Sequence, residues 1–295
     1  MTVQYGPALQ RAGSAARRGL GAISLPGRPA QGRAVRKTRR LGLAAPHPLG
    51  WVLGPVLVAL IWTLGSASGV IDARILPAPW TTVATAIDLI REGRLQENLA
   101  ISAWRAAQGL AFGVSAGVLV ALVAGLSLFG GYLFDGVIQL KRAIPTLALM
   151  PLLVVWFGIG EVMKVTVIAV TVFIPIYIHT HNALRSIDLR YVELAETLRL
   201  SRWRFIRAVV LPGALPGLLL GLRFGVTGAW LALVVVEQMN ATSGIGYMIN
   251  LARSYAQTDV MLVGIVVYAL LGLGSDALVR LAEKRLLRWR RSLAK

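Results

Sequence analysis

The sequence predicts an all-α, polytopic membrane protein with six transmembrane helices, and three observations carry that expectation. Mean hydropathy is +0.66, and only 15% of the 295 residues are charged, too few to solvate the surface of a globular domain of this length. The charges also cluster. Five stretches contain no Asp, Glu, Lys or Arg: 41–71, 106–134, 143–160, 165–184 and 260–275. Each is close to the roughly 17–25 residues that a spanning helix needs. A sixth apolar block, about 213–236, is interrupted only by Arg223. Finally, with the N-terminus placed in the cytoplasm, 24 of the 31 Lys and Arg fall in inner segments: before residue 41, near Lys141, at 185–207 and from Arg280 onward. Basic residues in short loops resist export across the bilayer, so both termini are expected inside. The same bias accounts for the net charge of +18 without a nucleic-acid partner, since no nucleic-acid-binding module accompanies it. The absence of Cys excludes disulfides, thiolate chemistry and Cys-ligated metals.

Taken in order, residues 1–45 carry Arg, Gly, Pro and Ala with no acid, which reads as a disordered basic cytoplasmic tail facing anionic lipid. Arg39 and Arg40 ahead of an apolar run imitate a twin-arginine signal. That run is long enough to span and precedes further spans, so 46–68 is expected to be a retained first transmembrane helix. Residues 69–95 read as a periplasmic segment. Within it, Trp80, Val83, Ala86, Ile87 and Ile90 recur at helical spacing, as in a helix lying at the membrane interface. The second span, about 101–128, carries Gly109, Gly113, Gly117 and Gly125 on one helical face, which allows another helix to approach closely. Pro145 and Pro151 predict kinks in a third span, and Pro175 in a fourth. Residues 286–295 form a second basic cytoplasmic tail.

The inner loop at 185–212 is charged and amphipathic. Ile187, Tyr191, Leu194, Ala195 and Leu198 fall on one continuous helical face, while Asp188, Glu193 and Glu196 point elsewhere. A second short helix can start at Ser201, whose hydroxyl suits an N-cap, and it presents Trp203 and Ile206. Two short helices joined near Arg199 make a compact knuckle. Two readings compete: a docking surface for another protein, or an apolar face packed on this chain's own spans with its arginines on lipid phosphate.

The segment 193–212 resembles the cytoplasmic signature of permease subunits of binding-protein-dependent ABC importers: E-A-A, three residues, G, nine residues, then I-x-L-P. Glu193, Ala195, Leu211 and Pro212 match, Leu194 replaces the middle Ala, Val209 replaces Ile, and Arg199 stands at the Gly position. A left-handed turn there costs an Arg about 1 kcal/mol or more. The resemblance implies an ABC type I importer permease core over 96–285, in a multi-pass protein of a bacterial inner membrane. It implies a non-catalytic subunit without cofactor. The knuckle becomes a coupling helix seated on a cytoplasmic ABC ATPase, present in two copies, through Glu193, Leu194, Ala195, Leu198, Arg199, Ser201, Trp203, Leu211 and Pro212. The chain itself lacks G-x-x-x-x-G-K-[ST]. A second permease copy in a homodimer and a periplasmic or lipid-anchored binding protein complete the implied assembly. Within the superfamily, 243–247, 256–260 and 268–272 most resemble aliphatic sulfonate permeases. Permeases for taurine, nitrate or bicarbonate, and thiamine precursors share much of this pattern.

Four further residues are candidates for a pathway or gate. Arg223 lies deep in a span, where it either aids passage of an anion or pairs with a neighbouring helix. Glu237 and the run containing Gly244 and Gly246 form either a re-entrant gating turn or a plain outer turn. His179 and His181, two residues apart, do not share a helical face and give no metal site. An ion-coupled secondary carrier would place more ionisable groups at mid-membrane and show repeated halves. A membrane enzyme would need a convergent set of acids, bases or ligands. Neither pattern is present.

Overall fold

A computed structural model describes residues 50–289. The expected basic tail at 1–45, the start of the first span at 46–49, and residues 290–295 lie outside them. Residues 52–289 group as one compact unit. Its helices are α1 (Gly50–Ala67), α2 (Pro79–Arg91), α3 (Arg94–Leu126), α4 (Leu128–Ala143), α5 (Met150–Phe157), α6 (Glu161–Arg185), α7 (Leu189–Thr197), α8 (Arg202–Phe205), α9 (Leu211–Asn240), α10 (Ile245–Ser254) and α11 (Thr258–Leu286). A 3₁₀ turn, Thr146–Leu149, precedes α5, and a π-helical turn, Ile206–Val210, joins α8 to α9.

Helix α6 is the axis of the bundle, and glycines on two neighbours bring those neighbours close. Gly109, Gly113, Gly117 and Gly125 of α3 meet Ile168, Val172, Ile176 and Leu184 of α6. Each pair is separated by the same number of residues, so the two helices run parallel and in register. On another face of α6, Gly217 meets His179 and Ala183, Gly221 meets Pro175 and Ile176, and Gly225 meets Val172. Here the numbers run in opposite senses, and α9 is antiparallel. Missing side chains let backbones approach, which is how helices gain dispersion contact in a bilayer that offers no hydrophobic drive between them. The expected glycine face on α3 is thus in place, and α9 carries a second that the sequence reading did not single out. Between the helices lies a fully buried cluster of Met163, Val167, Ile168, Val172, Ile176, Ala229, Leu233 and Val236.

The six expected spans appear differently. Among the described residues, four helices are long and apolar enough to cross a membrane: α3, α6, α9 with its preceding turns, and α11. The third expected span, 143–160, is not one helix. Pro145 disfavours helical geometry at the residue before it, and Ile144 is accordingly extended, with φ −97° and ψ 118°. Pro151 lies at the start of α5, where its missing N–H has no consequence. The prolines therefore break the chain where kinks were expected, and α4 meets the following segment at 91°. The reversal after α3 falls at Ser127, whose Oγ accepts from Gly130 N at 3.2 Å. Lys141 and Arg142, expected in an inner loop, instead occupy the last turn of α4. Helix α1 is apolar but short, with most of its side chains exposed. Trp62 Nε1 donates to the Pro77 carbonyl at 3.1 Å.

Helix α2 packs Leu89 against α10 and α11, and Thr85 Oγ1 donates to Asp259 Oδ2 at 2.8 Å. Its Trp80, Val83, Ile87 and Ile90 remain exposed. Helix α10, read from the sequence only as the tail of a turn, is amphipathic and buries Ile245, Met248, Ile249 and Ala252.

The glycine register makes a direct prediction. A Cβ at Gly113 would sit 2.6 Å from the Ala169 carbonyl oxygen and 2.7 Å from Val172 Cβ, whereas one at Gly136 meets nothing within 4 Å. Gly113→Val should lower the thermal midpoint of the detergent-solubilised protein, with overpacking of about 1–3 kcal/mol. Gly136→Ala should leave the midpoint unchanged or raise it, by about 0.5–1 kcal/mol of helix propensity.

Candidate functional site

The loop at 185–212 folds as the expected knuckle, and local chemistry fixes both of its helices. Asp188 caps α7 by accepting from Arg190 N at 3.0 Å, and Ser201 caps α8 by accepting from Arg204 N at 3.4 Å. Arg199 adopts the left-handed conformation, φ +49°. Around it Leu200 N donates to the Ala195 carbonyl and Arg199 N to the Glu196 carbonyl, both at 2.9 Å. These are the two bonds of a Schellman helix end. Arg199 thus keeps the turn that a glycine would form without steric cost.

The amphipathic face divides in two. Ala195 is buried, Ile187 packs near Leu184 and Val210, and Phe205 and Ile206 join the same cluster. These side chains hold the knuckle to the bundle. Tyr191 (54% exposed), Leu194 (53%), Leu198 (61%) and Trp203 (69%) are not covered by this chain. Glu193 is exposed beside them, as are Arg190, Arg199, Arg202, Arg204 and Arg207. Arg202 Nη2 reaches back to the Leu126 carbonyl at the end of α3, 3.3 Å away.

Leu211 and Pro212 mark the joint between knuckle and bundle. Leu211 N donates to the Ile206 carbonyl, five residues back rather than four. Pro212 has no N–H, and its ring would clash with the carbonyl four residues earlier. A wider turn relieves both problems, and α9 then runs on without interruption to Asn240.

At the opposite end of α9 lies a buried ionic knot. Glu237 is 0% exposed. Its Oε1 accepts from Arg105 Nη1 at 2.8 Å, and its Oε2 accepts from Gly246 N at 2.9 Å and Tyr268 OH at 3.0 Å. Ser102 Oγ lies 2.9 and 2.8 Å from the two oxygens and accepts from Ile245 N. Arg105 is held in turn by a bidentate pair with Glu161, Nε to Oε2 at 2.7 Å and Nη2 to Oε1 at 2.6 Å, and by Ser243. Lys164 closes on Glu161 at 2.8 Å. Five helices, α3, α6, α9, α10 and α11, meet through one carboxylate and one guanidinium. A charge so deeply buried persists only where every hydrogen-bonding position is filled.

Gly244 and Gly246 belong to this knot. Gly244 has φ +110°, and a Cβ there would lie 2.3 Å from Glu237 Oε1. Its N–H donates to Asn98 Oδ1 at 2.7 Å. A Cβ at Gly246 would lie 2.6 Å from Glu237 Cβ. Glu237, Gly244 and Gly246 are therefore brought together, in the protein interior. Arg105, Glu161, Ser102 and Tyr268 were missed as members, because each stands alone in sequence. The available signal was Arg105 within α3, followed by uninterrupted apolar sequence. Arg223 stands apart from the knot, its Nε donating to Asp276 Oδ1 of α11 at 2.8 Å; Arg280 binds the other carboxylate oxygen at 2.9 Å.

Residues 113–288 match the profile of the family described as binding-protein-dependent transport system inner membrane component. The putative aliphatic sulfonates transport permease protein SsuC of Bacillus subtilis (strain 168) is 41% identical over 246 residues, 82% of this chain and 89% of that protein. Its namesake in Escherichia coli (strain K12) is 44% identical over 239 residues, 81% and 90% of the two chains. The taurine transport system permease protein TauC of Escherichia coli (strain K12) is 33% identical, covering 79% and 86%. A crystal structure of an amino acid ABC transporter with histidines shares the fold, with a TM-score of 0.58 at 17% identity over 68% of this chain and 97% of that one. The chain belongs to the family of binding-protein-dependent transport system inner membrane components.

Two substitutions test the site's geometry. Arg199→Gly should slow amide exchange across 195–201, since removal of left-handed strain is worth about 1 kcal/mol. Gly244→Ala should sharply reduce the amount of folded protein recovered from membranes, because its Cβ has no room beside a carboxylate that cannot move.

Proposed function

We propose that this permease subunit carries aliphatic sulfonates inward across the cell membrane, driven by a separate ATPase that grips the α7–α8 knuckle. Membership of the family implies the partners in outline: an ATP-hydrolysing subunit and a substrate-binding protein. The finer assignments are ours. Two ATPase copies serve two copies of this chain in a homodimer. The knuckle and both termini face the cytoplasm, the α10 end faces the periplasm, and membrane lipid covers the remaining apolar faces.

The observation that carries the coupling role is the uncovered apolar row Tyr191, Leu194, Leu198 and Trp203 on a rigidly capped knuckle. Packing on the chain's own spans would bury these side chains, whereas docking in a groove leaves them exposed until the partner arrives. Aromatic and aliphatic side chains ringed by arginines suit a partner groove with an apolar floor and an acidic rim. Glu193, Ala195, Arg199, Ser201, Leu211 and Pro212 shape and anchor this surface. Helix α9 then links the grip to the knot at Glu237, as a continuous rod would.

The substrate assignment rests on the 41% and 44% identity to two proteins named for aliphatic sulfonates. Taurine, itself a sulfonate, is the second reading, supported by lower identity to a taurine permease.

The chain has no Cys, so single cysteines report cleanly. Trp203→Cys and Leu194→Cys should crosslink to the partner ATPase, and the yield should change with ATP. Capture of no ATPase subunit in any nucleotide state would refute the docking role. A deletion strain should lose growth on ethanesulfonate as sole sulfur source and regain it with the gene restored. Unimpaired growth, with no second sulfonate importer present, would remove the substrate assignment.

A further inference from the structure

The break between α4 and α5 holds two cations that the charge pairing of the bundle leaves over. Arg105, Lys164, Arg223 and Arg280 each sit on a carboxylate within their spans, and Arg185 lies 3.7 Å from Asp135. Among the described residues, neither Lys141 nor Arg142 has a carboxylate partner. Lys141 Nζ donates to Thr146 Oγ1 across the break at 2.5 Å, a neutral partner that leaves its charge uncompensated. Arg142 is exposed.

Packing sets the depth of the break. Ile138, three residues before Lys141, packs on Tyr177, which lies eight residues, about 12 Å of helix, from the knuckle end of α6. Met150 and Leu153, beyond the break, pack in the cluster that runs from Met163 to Ile176 of α6. Lys141 and Arg142 therefore lie beside the middle of a spanning helix.

Two arguments exclude lipid there. An unpaired cation at that depth facing lipid costs at least about 2.5–3.5 kcal/mol, and such residues face the bundle interior or an aqueous cavity. Ile144 and Pro145 are extended and exposed, and non-helical backbone at membrane depth is tolerated only where protein or water covers it. Broken helices in transporters commonly frame ionic substrates. The guanidinium fork and the ammonium present converging N–H donors that match the oxygens of a sulfonate.

We propose that the α4–α5 break lines the aqueous passage and that Lys141 and Arg142 hold the sulfonate group of the substrate in transit. This rests on the sulfonate reading given above. An alkyl phosphate headgroup offers similar oxygens, and the test separates the two sources.

Ala143→Cys, adjacent to both cations and exposed, provides the reporter. With the complete importer in nanodiscs, the membrane-impermeant reagent 2-sulfonatoethyl methanethiosulfonate should label Cys at this position, as read by mass on this chain. Saturating ethanesulfonate should slow labelling severalfold. Adding Lys141→Gln and Arg142→Gln should abolish that protection and cut ethanesulfonate uptake by about tenfold or more, as expected for lost charge-assisted hydrogen bonds. Lys141→Arg with Arg142→Lys should retain protection, which a purely structural role does not require. No labelling means the break faces lipid or packed protein and overturns the proposal. So does labelling that ethanesulfonate leaves unchanged, as when a lipid headgroup occupies the site. Uptake of ethanesulfonate by the unsubstituted importer is measured alongside. If it occurs without protection, only the site falls; if it is absent, the sulfonate reading falls and takes the site's ligand with it.

Discussion

The contact between Arg105 and Glu237 is the constraint from which the rest of the bundle's α10 end follows. Neither charge reaches solvent, so each depends on the other and on its remaining partners. Ser102 and Tyr268 bring α3 and α11 to the carboxylate, Gly246 brings α10, and Glu161 brings α6 to the guanidinium. Removing Arg105 leaves the buried Glu237 carboxylate unpaired, which is far worse than replacing the pair by apolar groups. The knot thus fixes position more than it adds net stability. It explains why Gly244 and Gly246 must lack side chains: backbone has to come within hydrogen-bonding reach of Glu237.

The glycine registers along α6 extend this fixed end through the membrane. Helix α3 meets α6 in parallel and α9 meets it antiparallel, each at backbone distance. A helix held so closely moves as part of a body. Helix α9 joins that body to the knuckle through the wide turn at Ile206–Val210, so displacement of the knuckle reaches the level of Glu237 along one rod. The α4–α5 break, by contrast, has extended backbone and unpaired charge where the core is tightly packed and neutralised. Rigidity and ionic balance are concentrated in α3, α6 and α9, and the departure from both lies beside them.

Much of this was legible in residues. The charge-free stretches at 106–134, 165–184 and 260–275 overlap α3, α6 and α11, three helices long and apolar enough to cross a membrane, because lipid tolerates few charges, and the α3 glycines announced a close neighbour without naming it. Asp188 and Ser201 signalled caps, and both act as caps. Arg199 carried the positive φ expected of the glycine it replaces. Other features were not readable. Pro145 looked like a kink because proline inside an apolar run has two outcomes, and the neighbours decide between them. Lys141 and Arg142 looked like loop residues, since sequence counts charges without depth. Arg105, Glu161 and Glu237 are 56 and 132 residues from one another along the two ion pairs that join them, and no local pattern reports a contact of that range. The split of the amphipathic face, with Ile187 and Ala195 inward and Tyr191, Leu194 and Leu198 outward, likewise follows from where the knuckle meets α6 and α9.

The most direct measurement is a double-mutant cycle on the thermal midpoint of the solubilised protein, using Arg105→Met and Glu237→Leu. Arg105→Met strands the buried Glu237 carboxylate and should destabilise strongly, by about 3–5 kcal/mol, whereas Glu237→Leu leaves Arg105 its Glu161 partner and should cost less. The double substitution should destabilise much less than the sum of the two, because both charges leave together. Additive losses would contradict a bundle organised around this pair.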